Sequence, residues 1–105
     1  VLGRHNMITA KKNITIGDNT IIGAYVQITD QDHGISANRP IKEQDAIIKD
    51  VTIGKGCWIG AGVKILRGAN IGDGAVIGAN SVVTGDIPGM AIAVGVPCKV
   101  IKYRE

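Results

Sequence analysis

The sequence predicts an all-β protein: a parallel β-helix of about four triangular coils, with one inserted loop and a short C-terminal capping segment. Three observations predict it. An isoleucine or valine recurs every six residues, at Ile16, Ile22 and Ile28, then from Ile47 through Ile53, Ile59, Ile65, Ile71 and Ile77 to Val83. Glycine follows it at Gly17, Gly23, Gly54, Gly60, Gly72 and Gly78. Four residues after the aliphatic comes a small or β-branched residue, at Thr20, Val26, Val51, Cys57, Val63, Ala69, Ala75 and Ser81. A six-residue unit is too short for a helical repeat, so each hexad is one short strand and one turn, and three hexads close a coil. Each coil buries its isoleucines on those of the next, and no coil is stable alone.

The elements follow in order along one domain, residues 1–105. Residues 1–33 form the N-terminal coils. Within them, residues 1–15 read as a weaker coil, because Ile8 and Ile14 fall on the small-residue phase and Ala10 on the aliphatic one. Residues 34–46, with Gly34, Pro40 and charges of both signs, break the period and read as an inserted loop. A long loop inside a tight repeat is usually functional. Residues 47–87 resume the phase as the C-terminal coils. Pro88, Gly89 and Pro97 end the regular winding, so residues 88–105 read as a cap over an otherwise open end. The chain starts at Val1, already inside a coil, and is expected to lack N-terminal sequence.

Composition fits a narrow aliphatic prism. Aromatics are limited to Trp58, Tyr25 and Tyr103, and stacked Ile and Val need no others. The net charge of +3 is modest and the basic residues form no stripe interleaved with aromatics, so no nucleic-acid surface is expected. No signal peptide or membrane-length apolar run is present, and no membrane partner is expected. Cys57 falls on an inward position as a packed thiol, and Cys98 follows Pro97. The two imply no disulfide framework, which favours the cytoplasm. Outward positions are mostly polar. Ile21, Trp58, Val76 and Val82 are exceptions, and Trp58 and Val76, one coil apart, should stack on one outer face as a subunit contact or ligand wall. The three-fold section of the prism suggests a cyclic homotrimer.

His33 is the main candidate for chemistry. It ends a hexad in ITDQDHGI at the mouth of the loop, beside Asp30 and Asp32. A histidine on a rigid strand end can act as a general base near neutral pH. By phase, Asp32 should point inward, bonded to the turn backbone or to the His33 ring. Taken alone, a surface turn histidine is the plainer reading; its place at the one irregularity of the repeat marks it for function. His5, the only other histidine, has no such setting, and two histidines with two distant cysteines make no metal site. No phosphate-binding glycine motif or serine elbow occurs.

VTIGKGCWIGAGVKILRGANIGDGAVIGANSVVTGDIPGMAIAVGVPCKVIK resembles the C-terminal half of the hexapeptide-repeat acyltransferases, above all the maltose/galactoside-type sugar O-acetyltransferases. ITDQDHGI with its loop resembles their catalytic segment. The resemblance implies a left-handed β-helix, a trimer, and an active site between adjacent subunits. It implies that acetyl-CoA lies along the prism as cosubstrate, with no metal, and that His33 takes the proton of an acceptor hydroxyl, on a sugar or a similar small molecule. Carried over by position, Trp58 would wall the reacting end of the cleft. The Ala61 N–H would face the developing oxyanion. Ala79 and Thr84 would hold the pantetheine amides, and Lys99 and Lys102 would meet the CoA phosphates. Gly85 stands where these enzymes commonly carry a lysine, and their acceptor asparagine would fall near Gly3, with Asn6 close by. An amino-sugar or drug-modifying acetyltransferase would need the same base. A non-catalytic trimeric scaffold, or a fragment without its acceptor site, is the reading from another class.

Overall fold

In the computed structural model, which describes residues 1–105, the hexads wind into a three-faced prism of 49 × 26 × 19 Å. The first face stacks Met7–Thr9, Gln27–Thr29, Lys64–Ile65 and Val82–Val83. The second stacks Ile14–Ile16, Val51–Ile53, Asn70–Ile71 and Asp86–Ile87. The third stacks Ile21–Ile22, Trp58–Ile59, Val76–Ile77 and Ala91–Val94. All of these pairings are parallel.

Two or three residues per strand suffice because each inward β-branched side chain meets its equivalent in the coil above and below. Ile28 lies over Ile65, Ile53 over Ile71 and Ile59 over Ile77, all buried. Cutting one of these back to alanine opens a cavity that the rigid coil closes poorly, at a cost of about 2–5 kcal/mol. The small positions Cys57, Ala69 and Ala75 fill the tighter space beside the corners and are buried too. The corners turn through left-handed backbone. Gly62 (φ 73°) and Asn80 (φ 62°) occupy successive levels of one corner, and both residue types tolerate that region. Close stacking also demands Gly60, where a Cβ would stand 2.7 Å from the Ala79 nitrogen.

At the C-terminal end, Lys99–Tyr103 folds back antiparallel on Ala91–Val94. The segment between them crosses the last coil, with the Cys98 N–H donating to the Val82 carbonyl at 2.9 Å. Cys57 is buried and Cys98 half-buried, and neither is in a disulfide.

Three features differ from the expectations of the repeat. The inserted segment is longer than thirteen residues. Lys55 bonds Asp73 across 18 positions, one coil, whereas Thr20 bonds Cys57 across 37, so 19 residues are inserted. Ala46–Ile48 belongs to the insertion: it pairs antiparallel with Gln31–His33 as the return strand of a hairpin, Ile47 is exposed, and the coil resumes at Val51. Deleting thirteen or nineteen residues leaves the same phase, since the two differ by one hexad.

Ile8 is the second difference. It takes the aliphatic position, paired with Ile28, because the first coil carries two extra residues: Asn6 bonds Val26 across 20 positions rather than 18. The third is Asp32, which points outward; Asp30 is the buried acid.

Candidate functional site

The hairpin leaves the prism directly after the first face, and Asp30 fixes the departure point. Its buried carboxylate accepts the backbone N–H groups of Lys11 (2.9 Å), Lys12 (2.8 Å) and Asn13 (3.0 Å). The Lys11 N–H bond does most to hold the carboxyl below its usual range, burial opposes it, and the Lys12 and Asn13 N–H groups add to the lowering. One side chain thus closes the enlarged corner of the first coil and anchors the strand that leads to His33.

Beyond that anchor, Asp32 accepts a hydrogen bond from Arg67 Nε at 2.8 Å, tying the hairpin to the next coil. The Gln44 side chain organises the loop. It donates to the Ser36 and Arg39 carbonyls and accepts from the Ser36 N–H, each at 2.9 Å. Arg39 in turn donates to the Glu43 carbonyl at 2.8 Å.

His33 is exposed at the edge of this hairpin, and its ring makes no hydrogen bond within the chain. It faces a polar cleft of about 550 Å³ between the hairpin and the first face, walled in part by Thr9, Gln27, Thr29 and Gln44. A second hollow, of about 340 Å³, lies against His33 and Asp32 and is floored by Ile35, Ile41 and Ile47.

A different surface holds most of the residues expected to touch acetyl-CoA. Trp58, 58% exposed, sits in register between Ile21 and Val76 on the third face, and Val76 is followed by Ile92. Beside this apolar ladder runs a slot of about 400 Å³, its floor made small by Gly60, Ala61, Gly78 and Ala79. The backbone N–H groups of Ala61 and Ala79 meet no acceptor in the chain, whereas the Ala61 carbonyl accepts from the Asn80 N–H. Free N–H groups along a narrow apolar slot suit an elongated ligand bearing carbonyl oxygens.

Lys99 pairs with Val94 at the upper end of this same corner, and Lys102 lies beside Ile92. Thr84 is exposed at the opposite corner of the first face, after Val82–Val83. One chain therefore gathers Trp58, Ala61 and Ala79 at the slot, carries Lys99 and Lys102 on the strand that pairs with Ala91–Val94, and leaves Thr84 and His33 elsewhere. Burial raises the Cys98 thiol above its ordinary value, with a hydrogen bond involving the Ser81 side chain working the other way. No three His, Cys, Asp or Glu residues are grouped to hold a metal.

The bacterial transferase hexapeptide family (six repeats) matches residues 50–85. A "probable acetyltransferase" of Mycobacterium tuberculosis is 45% identical over 106 residues, covering 100% of this chain and 35% of the relative. A maltose O-acetyltransferase from Clostridium difficile, solved by crystallography, is 35% identical with a TM-score of 0.79, covering 100% of this chain and 67% of that one. The chain belongs to the hexapeptide-repeat acyltransferase family. Its winding is the left-handed parallel β-helix of that family. A galactoside acetyltransferase solved in complex with coenzyme A is 36% identical with a TM-score of 0.85, covering 97% of this chain and 54% of that one. The chain spans between 35% and 53% of the length of the curated relatives it matches. No helix in it is long and apolar enough to cross a membrane.

Sequence reasoning missed Arg67, Gln44 and the role of Asp30. The two extra residues in the first coil were the available signal for Asp30. Arg67 and Gln44 carry no signal, because their partners are set by the path of the hairpin.

Proposed function

We propose that this hexapeptide-repeat protein transfers an acetyl group from acetyl-CoA to a hydroxyl of a sugar or similar small acceptor, with His33 as general base. The observation that carries this reading is His33 itself: an imidazole with no internal partner, held at the edge of a braced hairpin and facing a polar cleft. The coenzyme A complex of the galactoside acetyltransferase and the sugar-directed maltose relative support the donor and the acceptor class.

In this reading the pantetheine arm lies in the slot beside Trp58, with the Ala61 N–H at the thioester oxygen and the Ala79 N–H on an amide carbonyl. Lys99 and Lys102 meet the CoA phosphates, and Thr84 contributes a further polar contact. His33 removes the acceptor hydroxyl proton as that oxygen attacks the thioester carbon. The Ala61 N–H stabilises the oxyanion that forms. Collapse breaks the C–S bond, and the imidazolium returns its proton to the departing thiolate. No covalent enzyme intermediate is needed. Joining two substrates in one cleft supplies up to roughly 7–11 kcal/mol in ideal cases.

The slot and the His33 cleft are separate surfaces of one chain, sharing no lining residue. We therefore place the complete site between neighbouring copies of a homotrimer, His33 coming from one and the slot from the next. Two free thiols suit a reducing compartment such as the cytoplasm. The test is acetyl transfer to a panel of sugars with His33→Ala as control. A fall in kcat of about 10² to 10⁴, with acetyl-CoA affinity kept, is expected. Equal turnover by the variant would remove His33 from the role.

A further inference from the structure

The cleft at His33 carries unbalanced positive charge. Lys11 reaches it from the enlarged first corner and Lys42 from the hairpin loop. Asp32 is the only carboxylate lining it, and Arg67 holds that group at 2.8 Å. This is the sole ion pair of the structure, so neither lysine has a carboxylate partner. Asp30 is buried, its oxygens taken by backbone N–H groups, one of them that of Lys11 itself.

Both lysines stand on fixed backbone. Asp30 pins the segment that carries Lys11, and the Gln44 bonds brace the loop that carries Lys42. Apart from His33 and Ala46, the remaining lining is neutral and hydrogen-bonding, as in Gln27, Thr29 and Gln31. A concave site lined by unpaired charge of one sign concentrates ligands of the other. A neutral occupant could offer the two ammonium groups only hydroxyl acceptors, whereas an anion adds the charge that makes such bonds stronger. The volume of about 550 Å³ admits one or two sugar rings.

We propose that the acceptor is an acidic sugar, carrying a carboxylate or phosphate that Lys11 and Lys42 bind so that a nearby hydroxyl meets His33. This rests on the acyl-transfer reading and narrows its acceptor.

The test is an NMR titration of the full protein chain, without acetyl-CoA, using glucuronate, glucose 1-phosphate and glucose, read at the His33 ring. Charge-assisted contacts predict that at least one of the two anions binds about tenfold tighter than glucose. The stronger of the two identifies a carboxylate or a phosphate. The Lys11→Met, Lys42→Met double variant should bring anion and neutral sugar to within about twofold, while Lys11→Arg, Lys42→Arg keeps the preference. Raising the salt should weaken anion binding alone. Equal binding of all three sugars, or a preference that survives the methionine pair, would overturn the proposal. Because binding is read without the donor, the outcome is separate from the transfer assay: anion binding with no transfer to any sugar would count against the acyl-transfer reading instead.

Discussion

Arg67 Nε donates to Asp32 Oδ2 at 2.8 Å, across 35 residues of sequence. The pair fastens a hairpin that projects from one coil to the corner of the next, one residue from His33. Both side chains are partly exposed, at 36% and 50%, so solvent screens the attraction. Its contribution to stability is small, about 0.2–1 kcal/mol, and its value lies in aim. Arg67→Met should leave the melting temperature almost unchanged and lower kcat more than it raises KM. A double-mutant cycle with Asp32→Asn should show the two changes to be non-additive in kcat. Additive effects would mean that the pair does not position the hairpin.

Asp30 makes stability depend on acid. Its folded carboxyl titrates below its unfolded one, so it favours folding fully above the unfolded value of about 3.9 and loses that contribution as pH falls through the lowered folded value. Asp30→Asn should melt several degrees below the parent protein at neutral pH. The two melting curves should converge as pH falls through that lowered folded value, and a constant difference would contradict the linkage.

The slot predicts a steric block. Ala79 is exposed at its corner, so Ala79→Leu should fold normally. The added atoms would fill the narrow slot and weaken CoA binding by about tenfold or more. Unchanged affinity would move the CoA site away from Ala79.

Sharing the site between copies predicts complementation. With acetyl-CoA held well below the weakened affinity, chains carrying His33→Ala and chains carrying Ala79→Leu are each expected to turn over poorly alone. Co-expressed, they should form mixed trimers in which a wild-type His33 meets a wild-type slot, and activity should return in part. If both halves of the site belong to one chain, no mixture recovers activity.

The prism was readable because the repeat is dictated by packing. Ile59 must lie on Ile77, and Gly60 must clear Ala79, whatever the surrounding loops do. The outward ladder of Trp58 and Val76 followed from the same register. Its failures have local causes. The phase of an insertion is defined only to within one hexad, which hid the return strand Ala46–Ile48. Two added residues in the first corner moved Ile8, and the departure of the hairpin from the hexad turned Asp32 outward. Arg67, Gln44 and Lys42 act through the path of the hairpin, and no periodicity encodes that path.

Calorimetric titration of acetyl-CoA into the protein and into His33→Ala, with the mass in solution and the acetyl transfer of each measured alongside, tests the central claim most directly. Expected are about one site per chain on a trimer, micromolar affinity for both proteins, and turnover only with His33 present. An intact trimer that binds no acetyl-CoA would contradict that claim and leave the β-helix as a scaffold.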